Sequence, residues 1–317
     1  MTLVIILRPC VAGAGAVLRA PVSRTHGKKV RLSGFRFCRR AKQVCPLQKG
    51  VSFFLPTLYN NGMEQQPDFS GRKVFFLYPH SVIQDEMLDI LIMSGYEAYI
   101  LRDHKKAQRL LEHFPGSIMF INIDERMPER EWETYIRELQ WNSKTKASSL
   151  GILSYNTDKA LMQKYLMEIS VPCGYIHLKL GMQTSTKILL DALKANEAKG
   201  RRKFIRATCE DDTTATMNYK SPDGTMYYGK LIDISSAGIA TKIEKFGDFP
   251  PNSRLHEVQL KLRGTLVLTD LILIGNRKGD TSEWIFLFDP KMQTTHKLTI
   301  HRFIKLSLQR YIDALNI

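Results

Sequence analysis

The apolar positions of this chain change rhythm once. From Lys73 to about Lys199, short apolar runs alternate with stretches of helical period. The runs Val74–Tyr78, Ala98–Arg102, Ile118–Ile123, Leu150–Ser154 and Tyr175–Leu178 read as strands. Helical spacing fills the gaps, as in Val82 to Met93 and Glu129 to Trp141, and a last helix runs from about Thr184 to Ala198. Near-continuous apolar strands separated by amphipathic helices predict an α/β, doubly wound parallel sheet covered on both faces.

After Gly200, which stops that last helix, the period shortens to that of strands. Candidate runs are Phe204–Cys209, Ala215–Tyr219, Met226–Ile234, Ile239–Ile243, Arg254–Leu262, Leu266–Ile274 and Trp284–Phe288. Ser221-Pro222-Asp223-Gly224 and Asn276-Arg277-Lys278-Gly279-Asp280 read as turns between them. Strands at this spacing predict a small antiparallel barrel. From Lys297 to Ile317 the pattern is an amphipathic helix with Ile300, Ile304, Leu308, Tyr311 and Leu315 on one stripe. The heptad is too short for a coiled coil, so the stripe is expected to pack on the barrel. The expected divisions are an extension (1–62), an α/β domain (63–198) and a barrel domain (199–317).

Charge changes the picture only after it is located. The chain of 317 residues carries a formal charge of +15. Residues 1–62 hold 11 Lys and Arg and no acidic residue, leaving 35 basic against 31 acidic side chains from residue 63 onward. A nucleic-acid binder is therefore not the expectation for the bulk of the protein. The first segment has no sustained period, and Met63-Glu64-Gln65-Gln66 offers a second start. Residues 1–62 are read as an unstructured extension from a start set too early. No run approaches the roughly 18 apolar residues of a membrane span. Cys-x-x-Cys is absent and the eight histidines do not cluster at ligand spacing, so no metal is expected. Cys173 and Cys209 sit in apolar surroundings and read as reduced core residues of a cytoplasmic protein.

Candidate chemistry gathers where the rhythm changes. Gly200-Arg201-Arg202-Lys203-Phe204-Ile205-Arg206 places Arg202 and Arg206 four apart, and Asp233-Ile234-Ser235-Ser236-Ala237-Gly238 follows. An arginine fork can grip two phosphate oxygens or the O6 and N7 of a guanine. A carboxylate accepts from guanine N1 and N2, a serine hydroxyl donates or accepts, and glycine allows a tight turn. Arg-x-x-x-Arg followed by Asp-x-Ser-x-x-Gly resembles the signature of PilZ domains, receptors for the bacterial second messenger cyclic di-GMP. The resemblance implies that Arg202, Arg206, Asp233, Ser235 and Gly238 form the ligand site, with the arginines on a flexible segment before the first strand. It also implies that Arg201, a third arginine, favours two ligand molecules over one.

The α/β half resembles, in part, a response-regulator receiver. Asp124-Glu125-Arg126-Met127-Pro128 matches Asp-x-x-Met-Pro after the third strand, Ser154 closes the fourth strand and Lys179 the fifth. That match would make Asp124 a phospho-acceptor, Ser154 its switch hydroxyl and Lys179 the phosphate partner. Receivers also carry an acidic pair for Mg²⁺ after the first strand, where this chain reads Tyr78-Pro79-His80. With one carboxylate in place of three, phosphoryl transfer lacks its charge-neutralising cation. The half is read as a pseudo-receiver, an interaction platform in which Asp124 pairs with Lys179. The leading function is a non-enzymatic cyclic di-GMP receptor that acts on an unidentified protein partner through interdomain rearrangement. The alternative is a response regulator phosphorylated on Asp124, with the barrel as output.

Overall fold

The computed structural model describes residues 71–277 and 280–317; the 1–62 segment, Met63 and the Lys278-Gly279 turn lie outside the described residues. In the first half, β1 (Val74–Leu77), β2 (Ala98–Leu101), β3 (Ile118–Asn122), β4 (Ser149–Ser154) and β5 (Tyr175–His177) form a parallel sheet. Its order, β2-β1-β3-β4-β5, is one of the two common doubly wound orders. These strands are buried almost throughout because helices cover both faces, which is why they read as continuous apolar runs.

The helices are α1 (Leu88–Met93), α2 (His104–His113), α3 (Glu129–Trp141), α4 (Lys159–Gln163) and α5 (Met182–Ala195). A π-helical turn, Ile83–Met87, leads into α1. Asp103 caps α2, its carboxylate accepting from the Lys105 and Lys106 amides, and those bonds hold its pKa below the usual carboxylate value. Trp132 on α3 is fully buried, and its indole N–H donates to Glu125 O at 3.1 Å.

The second half is a closed antiparallel barrel. Its strands are β6 (Arg206–Thr208), β7 (Thr216–Lys220), β8 (Met226–Ser235), β9 (Gly238–Lys242), β10 (Arg254–Leu262), β11 (Thr265–Arg277) and β12 (Asp280–Phe288). Six of them close the ring β8-β7-β10-β11-β12-β9, returning to β8. The long β8 makes closure possible. Its first half pairs with β7 on one edge, its second half with β6 on that same edge, and β9 runs along the other. Leu231, Ile234, Val258, Leu260, Leu271 and Phe286 fill the interior.

The terminal helix, α6 (Thr294–Ala314), buries Ile300, Phe303, Ile304, Leu308 and Ile312. Tyr311, expected on that stripe, is 49 % exposed, and its ring instead faces the Lys73 ammonium at 5.6 Å. The helix packs on the barrel, as its stripe predicts, and also on the edge of the other sheet. There the Gln309 side chain accepts from Ile100 N and donates to Ile100 O, both at 2.9 Å, so it satisfies both backbone groups of one β2 residue. Lys305 donates to Gln84 O at 3.0 Å and pairs with Asp89 at 2.8 Å. Lys106 reaches Asp313 O at 2.9 Å. These polar contacts tie the two halves together through one helix.

Among the described residues, no helix is long and apolar enough to cross a membrane. Cys173 and Cys209 are both free and buried, and burial pushes each thiol up to about 12. A raised thiol pKa means that the folded state holds its proton longer than the unfolded state does. The associated stability is intact below the unfolded pKa, near about 8.5, and is lost as pH rises toward the folded value. At about pH 8, iodoacetamide should leave the Cys173 and Cys209 peptides unlabelled in the native protein and label both in urea. Peptide mass spectrometry checks this, and native labelling at either position would show a thiol that opens to solvent.

Candidate functional site

Antiparallel pairing of β6 with β8 sets Arg206 opposite Ser235 and Thr208 opposite Asp233. Two motifs separated by 27 positions thereby share one sheet edge. Arg206 is the first residue of β6 rather than part of the segment before it, so the expectation of two arginines on a flexible lead holds for Arg202 at most. Arg202, Arg206, Asp233, Ser235 and Gly238 line one cleft of about 310 Å³, with Lys203 and Phe204 beside them. Ile285 and Leu287 of β12 supply its apolar wall. Arg201 is exposed and stands one position before the lining residues.

Asp233 is aimed by an irregularity in β8. Leu231 lies opposite Thr241 and Asp233 opposite Ala240, so two residues of β8 face one of β9. This bulge at Ile232 resets the inward–outward alternation between the buried Leu231 and Ile234 and turns the carboxylate toward the cleft. Its oxygen Oδ2 accepts from Arg206 Nη1 at 3.4 Å and from Arg277 Nη2 at 2.8 Å. Arg277, at the end of β11, also pairs with Glu283 at 3.0 Å. Its sequence neighbourhood reads as a turn and gives it no role.

Ser235 and Gly238 both line the cleft, and each also carries a contact within the barrel. The Ser235 hydroxyl donates to Gly238 O at 3.2 Å and accepts from Ala237 N at 3.3 Å, closing the β8–β9 hairpin from within. Gly238 is required by crowding: a Cβ there would stand 2.0 Å from Phe286 O, where β9 meets β12. It does not adopt a positive φ.

The receiver-like residues meet only in part. The Asp124 carboxylate accepts from the Ser154 hydroxyl on one oxygen, and from Tyr155 N at 2.7 Å on the other. That second oxygen also lies 3.1 Å from His80 Nε2. His80 thus stands where an acidic pair was sought, with its ring against the edge of Tyr155 at 4.6 Å. Lys179 is not Asp124's partner. β5 ends at His177, and the 3-10 turn Leu178–Leu180 that follows buries Leu178 and turns Lys179 out to solvent. Among the described residues, no group of three or more side chains could hold a metal ion.

The second half thus combines a closed antiparallel barrel with a basic lead segment, an acidic residue and a tight hairpin around one cleft. No family model matches the sequence, and no curated protein matches it. Among solved structures, the chain is similar to the PilZ domain with c-di-GMP of YcgR from Escherichia coli, at 19 % identity over 36 % of this chain and 99 % of that one, with a TM-score of 0.30. It is similar to the MrkH–c-di-GMP complex of K. pneumonia, at 18 % identity over 37 % of this chain and 55 % of that one, TM-score 0.29. Bacillus subtilis Inhibitor of motility (MotI/DgrA) matches at 13 % identity over 36 % and 53 %, TM-score 0.28. The chain spans about half the length of the whole YcgR and MrkH chains.

The crowding at Gly238 gives a direct test. Gly238→Ala forces β9 and β12 apart, because the obstructing atom is backbone and cannot rotate away. The variant should lose about 2–3 kcal/mol of unfolding free energy in urea, and an unchanged midpoint would mean that the hairpin accommodates a methyl group.

Proposed function

We propose that the protein is a non-enzymatic receptor for cyclic di-GMP, bound in the cleft between the segment 201–206 and the β8–β9 hairpin. The observation that carries this reading is the juxtaposition of Arg202 and Arg206 with Asp233 around a single cleft. Three cations (Arg202, Lys203 and Arg206) line it against one carboxylate, a balance suited to an anionic ligand. Arg206 and Arg277 both hold Asp233 through Oδ2, and in this reading Oδ1 accepts from a guanine edge. At about 310 Å³ the cleft sits at the lower end of the about 300–1,000 Å³ usual for small ligands. Arg202 and its neighbours therefore close over the ligand as it docks, and Arg201 extends the basic surface for a second molecule.

The position of β6 supports a relay to a partner. It carries Arg206, and α6 packs against it. The same helix is pinned to β2 through Gln309. The Gly95 turn, forced to φ +88, approaches Lys203 O so closely that a Cβ would stand at 2.9 Å. A ligand that re-aims residues 201–206 favours one arrangement of these contacts over another and so shifts the packing between the halves. Phosphorylation of Asp124 fits less well, because both carboxylate oxygens are already engaged by Ser154, Tyr155 and His80.

Calorimetry with cyclic di-GMP on the full chain should show micromolar or tighter binding, with two ligands per chain falling to one in Arg201→Ala. Arg202→Ala, Arg206→Ala and Asp233→Ala should each weaken it by about five- to 150-fold, as expected when a contact of about 1–3 kcal/mol is removed. Small-angle scattering of the same samples should change at saturation. Absence of binding at high micromolar ligand removes the receptor reading, and identical scattering curves remove the relay alone.

A further inference from the structure

Behind the cleft stands a further arginine, Arg277, that does not line it. It is brought there by irregular pairing. Leu273 lies opposite Phe286 but Gly275 opposite Ile285, a bulge at which Gly275 takes φ +140. A further register shift separates Asn276 from Arg277. The strand is thereby re-aimed so that its last side chain crosses to β8. There Arg277 spans two carboxylates, Asp233 at 2.8 Å and Glu283 at 3.0 Å. All three side chains are partly shielded, with exposures of 38 %, 17 % and 21 % for Arg277, Asp233 and Glu283.

Two guanidinium groups therefore share one oxygen of Asp233, and their distances are unequal. Arg206 holds it loosely at 3.4 Å, whereas Arg277 holds it at normal hydrogen-bond length. From this inequality we infer that Arg277 is a positioning residue for the ligand: it fixes and neutralises Asp233, so that Arg206 is free to leave the carboxylate for an anionic guanine nucleotide while Oδ1 stays aimed at the base. Without Arg277, the departure of Arg206 would leave a half-buried carboxylate unpaired beside phosphate oxygens, an arrangement that opposes binding. Glu283 completes the device by anchoring the other end of the fork, which planar guanidinium geometry allows and a lysine cannot reproduce. This inference rests on the receptor reading given above.

The test is a double-mutant cycle read by calorimetry with cyclic di-GMP on the full chain, with urea unfolding of every variant alongside. Arg277→Ala should weaken binding about tenfold, and Glu283→Gln by a smaller factor in the same direction. Arg277→Lys should recover only part of the loss. In an Asp233→Asn background, which keeps one acceptor oxygen but no charge, Arg277→Ala should change affinity by less than about twofold, because its effect runs through the carboxylate. Wild-type affinity in Arg277→Ala overturns the inference and leaves the receptor reading standing. Equal losses from Arg277→Ala in both backgrounds also overturn it, since Arg277 would then touch the ligand itself. If the wild-type protein fails to bind, the receptor reading falls and this inference with it. Should Arg277→Ala not fold, Glu283→Gln carries the decision, and unchanged affinity there overturns the proposal.

Discussion

Everything at the cleft depends on the short antiparallel contact between β6 and the second half of β8. Three residue pairs place the basic lead segment beside the carboxylate and the hairpin. The contact is available only because β8 is long enough to spend its first half on β7 and still close the barrel through β9 along its other edge. Lengthening or shortening β8 by one residue would invert which side chains face outward. The ring of six strands and the recognition surface are therefore a single construction, and neither can be altered without the other.

Charge distribution follows the same logic. Arg206, Arg277, Asp233 and Glu283 form a balanced set in which each carboxylate has a guanidinium within 3.0 Å. Half-buried ions in such a set contribute little net stability, because desolvation offsets attraction. What the set provides is orientation: a carboxylate held through Oδ2, facing a cleft whose remaining lining charges are cationic. In the α/β half, Asp124 is the opposite case. Both of its oxygens are engaged, by a hydroxyl, an amide and an imidazole, which makes it a knot tying β1, β3 and β4 together at their carboxyl ends.

Much of this was legible in the sequence. Alternation of polar and apolar residues located the barrel strands to within a few residues, since one face of each is wet, and continuous apolar runs located the buried parallel ones. The pair Arg202 and Arg206 and the run Asp233 to Gly238 were legible as motifs. Their meeting across a strand pair was not, because register is a property of two segments. Arg277 was hidden for a related reason. It reaches Asp233 across 44 positions through a bulge that no local pattern announces. Lys179 misled because strand β5 stops one residue early, at His177, and a 3-10 turn reverses the sense of inside and outside. Tyr311 fell on the helical stripe by spacing alone, while the actual buried face rotates toward Phe303 and Ile312.

The amide of Gln309 has an implication for how the chain comes to its native state. It guards a bare sheet edge, β2, from 209 positions further along the chain. During synthesis the parallel sheet can assemble well before α6 exists, and for that interval the strand is open to pairing with any extended segment nearby. The helix that joins the halves is thus also the last guard to arrive, and the vulnerable period of this protein is set by the time the ribosome takes to finish the barrel.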